Sequence, residues 1–100
     1  MREYELYLII DATADEEAVA SIRDRVAQLI STSHSGEVGE VIKVESRGKR
    51  RLTFPIKRQV ESQDLIVTFH TTQQALRELE RVLKLDERVL RYLIVRKDEV

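Results

Sequence analysis

The chain has 100 residues, of which 42% are hydrophobic and 35% charged, and its formal net charge is −1. This composition is typical of one globular domain, expected to span residues 1–100 around a single core. There is no cysteine, which excludes disulfides, thiolate nucleophiles and cysteine-based zinc sites and fits a reducing cytoplasm. No apolar run approaches the roughly 20 residues of a membrane span, and the N-terminus has no signal pattern. A cytoplasmic protein without membrane contact is expected.

The first predicted element is a strand over about residues 2–10. One set of alternate positions is bulky and apolar, which predicts a face in the core: Tyr4, Leu6, Leu8 and Ile10. The opposite face is only half polar, because Tyr7 and Ile9 share it with two glutamates.

A helix is predicted next, over about residues 14–32. Thr13 followed three residues later by Glu16 is typical of a capping box. Apolar residues then recur at spacings of three and four, as an amphipathic helix requires: Val19, Ile22, Val26, Leu29 and Ile30.

From about Glu40 the apolar period returns to two, which predicts a long second strand. Gly48 inside this strand predicts a bulge. Pro55 lacks an N–H and therefore indicates an edge strand or the start of a turn.

The second strand carries an unusual block of charge. From residue 47 to 58 there is no acidic side chain and there are six basic ones: Arg47, Lys49, Arg50, Arg51, Lys57 and Arg58. The other 11 basic and 18 acidic residues leave the rest of the chain negative. Clustered Arg and Lys are typical of a surface that meets phosphate. A solvated strand, or a charged edge that prevents aggregation, is the alternative.

The second half of the chain repeats the pattern of the first. A hairpin loop over 57–63 and a strand over 64–70 are predicted, with Leu65, Val67 and Phe69 facing inward. Thr71 and Gln74 indicate a second capping box, before a helix over about 72–84. The closing strand, 89–97, is almost continuously apolar, which predicts a central position covered on both faces.

The order βαββαβ predicts an α+β, ferredoxin-like fold, in which two helices cover one face of a four-stranded antiparallel sheet. The other face then needs a partner or a polar coat. Apolar residues on the first and last strands favour a partner surface, with Tyr7, Ile9 and Tyr92 as its candidates.

Catalysis has little support in the sequence. His34 and His70 are far apart and lack the spacing of a metal site or a triad. Neither GxxxxGK[ST] nor GxGxxG is present. The aromatic segment with which RNA-recognition motifs stack bases is also missing. We therefore expect no catalytic residue, metal, cofactor or small-molecule substrate, and RNA contacts made to phosphates and sugars.

Three segments of the chain are informative together: Gly48-Lys49-Arg50-Arg51-Leu52-Thr53-Phe54-Pro55-Ile56-Lys57 and the two ends, Met1-Arg2-Glu3-Tyr4-Glu5 and Val89-Leu90-Arg91-Tyr92-Leu93-Ile94-Val95-Arg96. In these segments the chain resembles the bacterial small-subunit ribosomal protein six family. Thr53 stands where the family usually has Ser or Ala. Phe54 stands where it usually has Tyr, so that a hydrogen bond from that hydroxyl is lost.

The resemblance implies a non-catalytic component of the small ribosomal subunit that binds 16S ribosomal RNA together with small-subunit ribosomal protein eighteen. It implies RNA contacts at Arg2, Arg47, Lys49, Arg50 and Arg51, with Arg91, Arg96 and Lys97 as a second group. Tyr4, Leu52 and Phe54 are assigned to core or sheet packing.

Two other functions stay open at this point. One is a ferredoxin-like module that self-associates, or binds a small ligand, through its open sheet face. The other is a small acyl-phosphate hydrolase, which would need a phosphate-binding loop after the first strand. The residues there, Asp11 to Asp15, are acidic where an anion would have to sit.

Overall fold

The structure is a computed structural model that describes residues 1–97. Its elements are β1 (Arg2–Asp11), α1 (Glu16–Ile30), β2 (Glu40–Ile56), β3 (Gln59–Thr71), α2 (Gln73–Leu85) and β4 (Val89–Arg96). The strands form one antiparallel sheet in the order β2-β3-β1-β4. The predicted βαββαβ architecture is confirmed.

Both helices pack against the same face of the sheet. The four bulky residues predicted on β1 are buried, and so are the three predicted on β3. They form one cluster with the apolar stripes of the helices, which include Ile22 and Val26 of α1 and Leu79 and Leu83 of α2. At one end of this cluster the rings of Tyr4 and Phe69 stack with centroids 5.6 Å apart.

The helix starts differ from the predicted capping boxes. The N-cap of α1 is Asp15, whose Oδ1 accepts the N–H of Ala18 at 2.8 Å. Thr13 instead donates its N–H and its hydroxyl to Asp11, at 2.9 and 2.8 Å. Because this local turn occupies Thr13, the next residue with a suitable side chain caps the helix, which then runs from Glu16 to Ile30 instead of 14–32.

The second cap lies one residue later than predicted. Thr72, not Thr71, accepts the N–H of Ala75, at 3.2 Å. Thr71 is buried and donates its hydroxyl to the carbonyl of Ile30 at 2.9 Å. Thr71, the last residue of β3, therefore bonds to the end of α1, and the next residue, Thr72, caps α2.

Two predictions for the strands were wrong. The predicted loop over 57–63 is a turn of two residues, because residues 59–63 already pair in the sheet. β4 lies at an edge of the sheet instead of the centre, and Leu93 and Val95 are 57% and 41% exposed. An apolar run alone cannot distinguish a central strand from an edge strand whose apolar residues stay exposed.

Two other predictions for the strands are confirmed. The register of β2 against β3 shifts between Ser46 and Gly48, and Gly48 has a φ of 70°, so the predicted bulge is present. Pro55 lies on β2, which is the other edge strand.

Within residues 1–97, neither helix is long and apolar enough to cross a membrane. In the same range, no group of three or more His, Asp or Glu side chains has an arrangement that could hold a metal ion.

Gly39 generates a prediction about the packing of α1 on the sheet. A Cβ at this position would overlap the carbonyl oxygen of Ile30 and lie 2.6 Å from Oγ1 of Thr71. Gly39→Ala must therefore push backbone apart, and we expect it to lower the free energy of unfolding by about 3 kcal/mol in urea titrations. Gly48→Ala is the control, because open space surrounds its Cβ and its positive φ costs about 1 kcal/mol. Equal losses for the two variants would contradict this account.

Asp86 generates a second prediction, about acid stability. Its carboxylate accepts three hydrogen bonds from Arg88, at 2.7 to 3.0 Å, and these lower the pKa of Asp86. The folded pKa lies below the unfolded value of about 3.9, so this stabilisation is present above pH 4 and is lost as the pH falls through the lowered pKa. We expect Asp86→Asn to cost about 1 kcal/mol at pH 7. The gap to the wild type should narrow as the pH falls through the lowered pKa of Asp86, and a gap independent of pH would refute the linkage.

Candidate nucleic-acid and partner interface

The bulge at Gly48 divides the basic block between two faces of the hairpin formed by β2 and β3. Arg50 lies opposite Ser62 and reaches Asp64, with Nε 4.0 Å from Oδ2. Arg47 and Arg50 line one cavity on the open face of the sheet. Lys49 and Arg51 alternate with Arg50 along β2, so they face the other side.

The hairpin ends in a turn of two basic residues. Lys57 and Arg58 have φ values of 47° and 68°, and Ile56 pairs with Gln59 across them. Two consecutive positive φ values define the type I′ turn, in which Asn-Gly is strongly preferred. Nζ of Lys57 donates to the carbonyl of Val89 at 3.4 Å, so the tip of the hairpin reaches the start of β4.

The open face of the sheet carries a band of apolar side chains. Tyr7 lies in the middle of it, opposite Ile66 of β3 and Leu93 of β4. The alternation of β1 and β4 places Ile9 and Val95 in the same band. Sequence reasoning found Tyr7 and Ile9 but missed Ile66, although the period of two along β3 assigns it to the face opposite Leu65 and Val67.

Tyr92 does not belong to this open face, so its prediction as a partner contact is corrected. It lies opposite Leu8, a core residue, and it packs against the core cluster on the helix side. Side chains alternate along a strand, so the register of β4 against β1 places Leu93 on the open face and Tyr92 on the helix side.

Carboxylates on the open face are paired with neighbouring groups. Glu3 lies 3.2 Å from the ring of His70 and 3.7 Å from Nζ of Lys97. Glu5 lies 3.7 Å from the same Nζ and accepts the hydroxyl of Tyr7 at 2.6 Å. That hydrogen bond, followed by desolvation, raises the pKa of Tyr7. These contacts fix the direction of the Tyr7 ring within the apolar band.

The predicted RNA contacts fall into two groups at opposite ends of the sheet. Arg91 lies opposite Ile9, at the end of β1 from which the hairpin extends. Arg2 and Arg96 are at the other end, opposite Thr71 and Tyr4, and Lys97 is there too, beside its glutamates. The structure therefore places Arg47, Lys49, Arg50 and Arg51 on one hairpin. Arg91 lies at the same end of the sheet but on the opposite edge strand, and Arg2, Arg96 and Lys97 lie at the far end.

The hairpin also differs from prediction in two side-chain assignments. Phe54, assigned to core or sheet packing, is 66% exposed, because the outer half of the hairpin extends past the helices that cover the sheet. Lys57 and Arg58 were counted in the basic block but not among the candidate contacts. Their position at the tip makes them part of the same basic surface.

A family model described as "Ribosomal protein S6" matches residues 3–96. The chain belongs to the ribosomal protein S6 family. Small ribosomal subunit protein bS6 of Heliobacterium modesticaldum is 36% identical over 99 residues, which are 99% of each chain. The bS6 of Corynebacterium urealyticum is 36% identical over 99% of this chain and all of its own. A crystal structure of 30S ribosomal protein S6 from Thermotoga maritima has a TM-score of 0.85 at 28% identity and covers 96% of this chain and 87% of its own.

Membership of the ribosomal protein S6 family confirms the resemblance read from the hairpin segment and the two ends of the chain. Its relatives are structural proteins of the small ribosomal subunit, so the chain is a ribosomal protein and not an enzyme. The cytoplasmic location expected from the sequence agrees with this family.

The turn at Lys57 and Arg58 generates a prediction about stability. Asn-Gly suits two positive φ values better than two long side chains do, and the left-handed conformation costs roughly 1–2 kcal/mol per ordinary residue. We expect K57N/R58G to raise the free energy of unfolding by about 1–2 kcal/mol, measured by urea denaturation. K57A/R58A removes the same charges and the same contact with Val89 without relieving the backbone. If the Asn-Gly variant is no more stable than this control, the turn is not strained.

Proposed function

We propose that the chain is a structural constituent of the small ribosomal subunit that binds 16S ribosomal RNA together with small-subunit ribosomal protein eighteen, acting as one domain. The observation that supports this proposal is the separation of two surfaces. The outer hairpin is basic, whereas the open face of the sheet is apolar with paired charges. One surface suits phosphate and the other suits a protein.

The RNA part of the proposal assigns the main contact to the outer hairpin. The side chains of Lys49, Arg51, Lys57 and Arg58 are exposed, and no acidic residue occurs in the segment from 47 to 58. Ammonium and guanidinium groups bind phosphate oxygens with little dependence on base sequence. A projecting hairpin can reach the backbone of a folded RNA, whose helices proteins recognise mostly by shape.

The remaining basic candidates have secondary places in this proposal. Arg91 lies at the hairpin end of the sheet, beside Ile9 on the opposite edge strand, and would make a contact of its own there. Arg2 and Arg96 would make a separate contact at the far end. Lys97 would contribute less there, because Glu3 and Glu5 already offset its charge.

The protein part assigns the partner to the open face. Leu93 and Val95 are exposed beside Tyr7 and Ile9, and such a contiguous apolar band is typical of an interaction surface. The same band also suits self-association, which is the rival function. Light scattering on the isolated chain, together with binding assays, distinguishes partner binding from self-association. A tight dimer that binds neither protein eighteen nor ribosomal RNA would favour self-association.

Removing hairpin charge tests the RNA contact. We expect K49Q/R51Q to weaken binding of the chain and protein eighteen to a 16S ribosomal RNA fragment, measured by filter binding. The plot of log K against log salt should flatten by roughly 0.7–0.9 for each lost phosphate contact. The free energy of unfolding should be nearly unchanged, because both side chains are exposed.

R77Q/K84Q is the matched control, since it removes two exposed charges from α2. The control should keep the salt slope of the wild type. If K49Q/R51Q also keeps that slope, the hairpin does not meet phosphate and the assignment is wrong.

A further inference from the structure

The outer edge of β4 differs from the other edge of the sheet. Within residues 1–97, β4 has a neighbouring strand on one side only, which is β1. From Arg91 to Arg96 it pairs with β1 in an unbroken register, and the bulge lies before this segment, at Leu90. The strand also contains no proline. A regular edge without such interruptions is a template on which another strand can pair.

The direction of the main-chain groups along this edge follows from the register. The N–H of Lys97 donates to the carbonyl of Glu3 at 3.0 Å, which continues the register of the two strands. In an antiparallel pair, hydrogen-bonded residue pairs alternate with pairs that make no hydrogen bond to each other. The main chain of Leu93 therefore bonds to β1, whereas the N–H and C=O groups of Tyr92 and Ile94 point outward from the sheet.

A second copy of the same edge presents the complementary groups. If two β4 strands pair antiparallel about a two-fold axis at Leu93, Tyr92 of each copy lies opposite Ile94 of the other. Each of these pairs can exchange two hydrogen bonds, because both members direct their main-chain groups outward. A two-fold contact uses the same surface on both copies and closes after two chains. The edge is therefore self-complementary in its main chain.

The side chains match in the same register. On the open face the exposed side chain of Leu93 meets its own copy, and Val95 lies opposite Arg91 of the other chain. On the helix side Tyr92 lies beside Ile94, and both are half-buried in the single chain. Between residues 91 and 95 this register brings apolar side chains together and sets no two like charges directly opposite each other.

Neighbouring registers meet conflicts. An axis at Ile94 would set Arg91 opposite Lys97, and like charges directly opposite are destabilising. An axis at Tyr92 would set Ile94 opposite Leu90, where the bulge interrupts the strand. An axis between two residues would set outward main-chain groups against inward ones. The charges, the bulge and the hydrogen-bond pattern thus select one register.

We propose that β4 is a self-pairing edge, through which two copies of this chain join antiparallel with Leu93 on the two-fold axis, so that two four-stranded sheets become one. The contact is small, so the dimer is expected to be weak and to depend on concentration. The basic hairpins lie at the far edges of the joined sheet, because β2 is the other edge of each copy.

The self-pairing edge goes beyond the proposed function and does not rest on it, because it involves neither RNA nor protein eighteen. It also differs from self-association through the open faces. Edge pairing leaves both open faces on the same side of one continuous sheet, whereas face-to-face association would bury them against each other.

Amide hydrogen exchange of the full chain, followed by NMR over a dilution series, tests the pairing. We expect the N–H groups of Tyr92 and Ile94 to exchange about tenfold more slowly at high concentration than at low, whereas the N–H of Leu93 is protected at both. Sedimentation equilibrium on the same samples should show an average mass that rises toward twice that of one chain. An average mass that stays at one chain, or exchange at Tyr92 and Ile94 that does not change, would overturn the inference.

Opposite charges at one position test the register. Because Val95 faces Arg91 of the other copy, Val95→Glu should add an attraction across the contact and Val95→Lys a repulsion, each repeated by the symmetry. We expect the dissociation constants of these variants to differ by about tenfold, with the Glu variant the tighter. Within one chain Val95 lies opposite Glu5, which favours the Lys variant, so a change in folding cannot produce this order. Equal constants would contradict the pairing.

Leu93→Lys and Ile66→Lys are a matched pair that separates the edge from the open face. Leu93 is 57% exposed, and a Lys on the axis would face its own copy, so we expect dimerisation to weaken about tenfold or more. Ile66 lies on the open face two strands away from β4, and its variant should keep the wild-type dissociation constant. If Ile66→Lys abolishes the dimer and Leu93→Lys keeps it, the copies meet through their open faces and the edge pairing is wrong.

Discussion

One-sided burial of the central strands is the constraint on which the rest of the structure depends. Along β1 and β3 every second side chain enters one core with both helices, and residues such as Leu6, Leu8 and Phe69 are completely buried there. Because successive side chains point to opposite faces, the intervening residues must all lie on the other face. A sheet covered by helices on one side only therefore exposes Tyr7, Ile9 and their neighbours, and the surface available to a partner is a consequence of how the core is built.

The two edges of this sheet differ in how they meet solvent. β2 carries bulges, Pro55 and much of the basic block, all of which discourage pairing with another strand. β4 has no proline between Val89 and Arg96 and exposes Leu93 and Val95. The near-continuous apolar sequence of β4 predicts a strand at the centre of the sheet, covered on both faces. Its edge position leaves part of this apolar composition exposed on the open face of the isolated chain.

The hairpin combines a functional surface with a local conformational cost. Lys57 and Arg58 form a turn whose backbone conformation favours Asn-Gly, and both side chains are positively charged. Beyond the bulge at Gly48, Lys49 and Arg51 alternate with Arg50 and face the other side of the hairpin. A single run of charge in the sequence is therefore divided between two faces of the hairpin.

The sequence by itself determined the elements, the core faces of β1 and β3, the stripes of both helices, the bulge at Gly48, the basic block and the family. These depend on local periodicity and on the family segment 48–57, which is recognisable although Thr53 and Phe54 depart from the family's usual residues. The tertiary structure alone decided that β4 is an edge, that Tyr92 faces the helices, that Phe54 is exposed and that Arg47 and Arg50 border a cavity. Each of these depends on strand order or register, which non-local pairing sets, and a shift of one residue moves a side chain to the other face of the sheet.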